Sequence, residues 1–267
     1  GEINMLVHSL SLNIVISCSV DNIIKIHDDT ELTESEVKKE LVIGTNQVKA
    51  ICICEKFARL AIGLSSGAIR FYDIAHFRYD SDLRNDSDKK EGNDEVTCLA
   101  ALEDVEIIFS GHASGKCRFL VGPPSAMKFY EIVSFCNNDI NDKAHKTSAS
   151  CAEFDFANKL MFIGDQIGKL KCYDLTELFD MIELGRSKTR SENDPLITLE
   201  VVQAFKEVRI PLKWSVDAHK ESIKHLHYVD IEPRIVISTS NDLKIKIFSA
   251  ETGKYKDELK QIACKYK

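Results

Sequence analysis

The sequence predicts an all-β fold of repeated four-stranded antiparallel sheets stacked radially as a wheel. Three observations lead there. A turn followed by alternating apolar and basic residues recurs five times, in SVDNIIKIHDD, SSGAIRFYDIA, ASGKCRFLVG, QIGKLKCYDL and SNDLKIKIFSA. An apolar run precedes each turn, in NIVISCS, RLAIGLS, EIIFSGH, KLMFIGD and RIVISTS. Ile24, Ile69 and Cys117 set a period of about 45 to 50 residues, near that of a four-stranded blade.

Each unit assembles from the inside outward. INMLVHS, VKAICIC, VTCLAAL, SASCAEF and SIKHLHY supply a first strand. The apolar run and the signature form a hairpin across a polar or glycine turn. KKELVIG, KFYEIVSF, PLITLEVV and YKDELKQI supply a fourth strand in four copies. Such a sheet is apolar on both faces, so one blade cannot bury itself and radial stacking is required.

The third strand carries a basic residue in every copy, at Lys25, Arg70, Arg118, Lys171 and Lys246. These are read as surface positions whose stems lie along apolar neighbours. Asp28, Asp73 and Asp174 close three of the copies.

On these residues the units resemble the WD40 repeat of β-propellers, over nearly the whole chain. Ala218-His219 is similar to the Gly-His pair that opens such a repeat, and Ser240 and Asp242 to its turn residues. The resemblance implies a structural hydrogen-bonded set of His219, Ser240 and Asp242, rather than an acid–base dyad. Phe248 stands where the family has Trp, and Ala144-His145 repeats the opening pair in copy four. The stretch 214–223, WSVDAHKESI, also resembles the closing repeat of WD proteins that carry EF-hands or belong to cilia and flagella. Five copies either close by themselves or belong to a larger, seven-bladed ring.

Residues 1–267 are expected to form one propeller domain, a fragment of a longer chain, with insertions at about 77–94 and 176–196. The first insertion is polar and charged and reads as a loop. Asp86, Asp88 and Gly92 do not fit the spacing of a calcium loop. Within the second, the apolar spacing over 175–185 predicts a short helix ending at Gly185.

The net charge of −7 argues against nucleic-acid binding. No apolar run is long enough to span a membrane. Nine cysteines lie mostly within apolar runs, the usage of a reducing compartment, so a cytoplasmic location is expected. There is no Walker loop, G-x-S-x-G or H-E-x-x-H, so no enzyme, catalytic residue or cofactor is expected. Cys98, Cys151 and His225 share an inner-strand position, with Cys52 and His227 nearby, and are read as channel lining rather than as metal ligands.

The expected function is a non-enzymatic scaffold that binds other proteins in a multiprotein assembly through its loops. Candidate partner-binding residues are Asp21, Ser66, His112, Ile167 and Asp242 on one face, with Trp214 as a strand residue at the blade edge. Glu55-Lys56 and Glu232-Pro233 mark turns on the other face. The alternative is a structural subunit whose incomplete propeller is completed by a partner or a missing segment. An enzyme built on a propeller comes third.

Overall fold

The computed structural model describes residues 1–30, 37–83, 94–102, 107–121, 130–138, 146–188, 205 and 207–259. Within them lie five four-stranded antiparallel sheets. Blade one comprises β1 (Ile3–Ser9), β2 (Ile14–Ser19), β3 (Ile23–Asp28) and β4 (Val37–Val42). Blade two comprises β5 (Val48–Cys54), β6 (Arg59–Leu64), β7 (Ile69–Asp73) and β8 (Arg78–Leu83). Blade three comprises β9 (Val96–Leu102), β10 (Ile107–His112), β11 (Lys116–Val121) and β12 (Tyr130–Cys136). Blade four comprises β13 (Ala149–Asp155), β14 (Leu160–Asp165), β15 (Lys169–Asp174) and β16 (Leu212–Asp217). Blade five comprises β17 (Ile223–Val229), β18 (Ile235–Ser240), β19 (Ile245–Ser249) and β20 (Tyr255–Leu259).

Burial explains the residue types. β10 and β14 are covered on both faces and are buried along their whole length, so their sequences open on apolar runs and close on Ser-Gly-His and Gly-Asp. The outer strands β4 and β20 are largely exposed and rich in Lys, Glu and Asp. Charge there discourages edge-to-edge pairing with another chain.

A bulge recurs in every inner strand. Its register against the second strand skips one residue in each blade, at Asn4, Lys49, Thr97, Ser150 and Lys224. A bulge re-aims the extra side chain. Thr97 Oγ1 donates to the carbonyl of Ala149 at 2.6 Å, and Ser150 Oγ to that of Ile223 at 2.5 Å. Lys49 reaches Glu95 at 3.0 Å. Each of these links one blade to the next. Opposite them, Gly63, Gly111 and Gly164 leave room for Val96, Ala149 and Ile223 of the following blade.

Three sequence expectations change. The fourth strand of blade four is β16, which carries Trp214. The proposed strand at 195–202 lies outside the described residues, as does His145. Blade two's fourth strand, β8, occupies part of the segment read as a loop, where Arg70 pairs with Asp82 across the sheet. Helix α1 runs Thr176–Lys188 and passes through Gly185. Asp174 starts it by accepting the amide and the hydroxyl of Thr176, at 2.9 and 2.6 Å. Leu178 and Ile182 bury it against Phe154 and Phe205 beneath blades three and four.

The inner strands pack side by side in the order β1, β5, β9, β13, β17. Among the described residues, β17 does not pack along β1 in that way. The five blades form an arc around a central channel.

Candidate functional site

The turns between second and third strands lie on one rim of the arc. They contain Asp21, Ser66, Ile167 and Asp242, as the sequence suggested. The Asn22 amide oxygen accepts the Val48 amide at 3.1 Å and pins the first turn to blade two. Asp165 pins the fourth by accepting the amides of Ile167 and Lys169 at 3.1 and 2.8 Å. Asp21 accepts a hydrogen bond from the Ser19 hydroxyl, which holds its carboxyl below the usual carboxylate range. On these fixed turns Val20 is 57% exposed and Ile167 51% exposed.

His112 and Trp214 are buried rather than presented on the rim. His112 is fully buried at the end of β10. Its Nδ1 meets the carbonyl of Asp94 at 3.1 Å and its Nε2 the Ser110 hydroxyl at 3.2 Å. Burial, then the charge of Arg118, pulls its pKa down to about 4. Trp214 is buried between blades, with its ring 5.9 Å from that of Phe162.

The expected hydrogen-bonded set forms in blade five with one substitution. His219 Nδ1 donates to Asp242 at 3.0 Å, so the neutral Nε2 accepts the Ser238 hydroxyl at 2.8 Å. Ser238, not Ser240, is the partner. The two serines lie two apart on the same face of β18, and it is Ser238, one step inside the strand end, that comes within reach of the histidine. Ser240 instead donates to the Glu221 carbonyl at 3.0 Å and accepts the Asp242 amide at 3.1 Å. Asp242 is thereby committed to the turn.

Other blades build different networks at the same place. In blade three the acid moves to the entry loop, where Asp94 accepts the Ser114 amide and hydroxyl at 2.8 and 2.7 Å. In blade four, Lys171 and Asp165 form a fully buried pair at 3.2 Å. Thr147 bridges them, and Lys171 also reaches Asn137 Oδ1 at 3.2 Å. A buried pair persists when its remaining hydrogen-bonding capacity is satisfied, as here. Lys171 and Arg118 thus correct the surface reading of the basic row, since both are buried within the stack. Lys25, Arg70 and Lys246 stand directly across from the acids Glu40, Asp82 and Glu258 on the fourth strand. The sequence signal for this was an acid at matching register in the next strand.

The central channel, about 530 Å³, is lined by all five inner strands, including Cys98, Cys151 and His225. Burial pushes the Cys151 thiol up to about 12 and raises that of Cys98 as well, so both stay protonated. Among the described residues no three His, Cys, Asp or Glu side chains come together to hold a metal ion. No described helix is long and apolar enough to cross a membrane.

No known family profile matches the chain. In sequence it is similar to cilia- and flagella-associated protein 337 B of Tetrahymena thermophila, 22% identical over 317 residues. That match covers 98% of this chain and 24% of the relative, so the chain spans about a quarter of the relative's length. In structure it is similar to a chain in the crystal structure of a mitotic checkpoint complex, with TM-score 0.63 and 13% identity. The likeness covers 96% of this chain and 65% of that one, and shows the fold of a WD40-type propeller.

Proposed function

We propose that this chain is a non-enzymatic propeller scaffold that holds other proteins within a multiprotein assembly of the cilium or flagellum. The observation that carries this reading is the rim of second-to-third-strand turns. It presents aliphatic side chains, Val20 and Ile167, one turn position apart, on turns pinned by Asn22 and Asp165. Rigid apolar tips flanked by Asp21 and Ser66 suit a protein surface, because little side-chain or loop freedom is lost on docking. The likeness to a cilia- and flagella-associated protein supports the setting, a cytoplasmic, ciliary one. The scaffold acts without a cofactor, and its acidic balance is unsuited to nucleic acid.

The test compares proteins cross-linked to the tagged chain in ciliated cells. Val20→Asp with Ile167→Asp should lose specific partners by about tenfold or more, equivalent to one apolar anchor. Leu10→Ser, on the opposite rim, should retain them. Equal recovery from both variants would remove the rim from the reading.

A further inference from the structure

The five inner strands meet the central channel in register. Counted from the rim that carries the second-to-third-strand turns, the bulged residues Asn4, Lys49, Thr97, Ser150 and Lys224 come first. Two residues further in stand Leu6, Ile51, Leu99, Ala152 and Leu226. The channel is therefore layered, polar and cationic at its mouth and aliphatic below. Two residues along a strand set the layers about 7 Å apart. Among the described residues that line the channel there is no carboxylate, in a chain whose net charge is −7.

The mouth layer divides by what its side chains already meet. Thr97 and Ser150 donate to the carbonyls of Ala149 and Ile223, and Lys49 reaches Glu95 at 3.0 Å. Lys224 is exposed and meets no acceptor among the described residues. An ammonium at the lip of a channel without carboxylates holds a positive potential there, which the low-dielectric walls focus. The layer below has apolar surface left to bury. Leu6 is 64% exposed, and Leu99, Ala152 and Leu226 are half-buried. The space, about 530 Å³, lies within the range of about 300–1,000 Å³ typical of small-ligand pockets.

We propose that the channel mouth receives the C-terminus of a partner protein, with its α-carboxylate on Lys224 and the side chain of a terminal Leu, Ile or Val in the aliphatic layer. A terminal residue fits because its carboxylate and side chain leave the same Cα and diverge. One residue arriving across the rim therefore meets both layers. The carboxylate of an Asp or Glu side chain has no aliphatic group beside it to fill the lower layer. Capture of a chain end by its charge is a recurring mode of peptide recognition. A fatty acid shares this chemistry, a carboxylate on an aliphatic group, and the test separates the two. The site presupposes the scaffold reading and names the part of a partner that the channel takes.

The test is fluorescence anisotropy with pools of N-terminally labelled hexapeptides, randomised upstream and ending in Leu, Ile or Val. The free-acid pool should bind tighter than the same pool amidated at its C-terminus by about tenfold or more. It should also bind tighter than a free-acid pool ending in Gly. Lys224→Gln, a change at an exposed side chain, should bring the free-acid pool down to the level of the amide, so that amidation makes no further difference. Leu6→Ser should narrow the preference for aliphatic ends over Gly and keep that for acid over amide. Equal binding of acid and amide by the unaltered protein overturns the proposal, as does an undiminished acid preference in Lys224→Gln. Decanoate bound through Lys224, with no binding of the free-acid peptides, gives the site to a lipid acid and overturns the protein C-terminus. If Val20→Asp with Ile167→Asp loses its cellular partners while the pools show no preference, the channel site alone falls and the rim reading stands.

Discussion

At position 112 an imidazole is kept neutral inside the molecule, and that choice has a pH signature. In the unfolded chain a histidine binds its proton near 6.5, whereas folded His112 does so near 4. Between those values the unfolded state holds more protons, so stability falls as the pH drops. The contribution is complete above 6.5 and is lost toward 4, by ~3 kcal/mol. His219 is shifted in the same direction, again by burial. Urea titrations across this range should show the slope, and His112→Gln should flatten it. An unchanged slope in the variant would place the titration elsewhere. Ser238→Ala should cost ~1–3 kcal/mol, because it strands the buried His219 Nε2. Ser240→Ala should cost less, since its bonds lie in a solvent-exposed turn. The residue types of this network were legible in the sequence, but the serine was not. Two serines lie two apart on one strand, and only the register decides which reaches the histidine.

Among the elements, the turns and bulges do the fitting. Gly164 lies where an added Cβ would come 2.7 Å from Ile223 Cγ2 and 2.8 Å from Cys151 Sγ. Gly164→Ala should therefore cost ~1–3 kcal/mol by overpacking, visible as a lower urea midpoint; no change would mean the blades move apart freely. Leu243 poses the reverse case. It sits at φ 62° in the turn where blades two, three and four have Gly67, Gly115 and Gly168. A left-handed leucine costs ~1–2 kcal/mol, and 79% exposure leaves little packing to lose. Leu243→Gly should raise the melting temperature of residues 1–267 by about 2–4 °C, and a fall would show that the side chain packs. Strand positions were legible because apolar runs and turn signals alternate. β8 and β16 were not. Asp82 and Arg78 make β8 look like loop, and β16 is separated from its sheet by the helix and the segment after it.

For the whole molecule, an arc and a closed ring differ in where they loosen first. In an arc the end blades have one neighbour each, and stability is a sum over adjacent pairs. Hydrogen exchange should be slowest in β10 and β14 and fastest in the outer strands of blades one and five. Uniform protection across all five blades would indicate a closed ring. The repeat itself was visible in the sequence, from the period and the recurring turn. Closure was not, because it depends on how β17 meets β1, two strands from opposite ends of the sequence that no local pattern relates. The assembly order has a bearing on synthesis. Every sheet is made from four successive strands, and none borrows a strand from a distant part of the chain. A nascent chain can therefore finish one blade, with its receiving face formed, before the next leaves the ribosome. Growth is vectorial, and each apolar face waits only for the next blade to be translated, about 45 to 50 residues in the first copies and more across blade four, which shortens the time it stands open to aggregation.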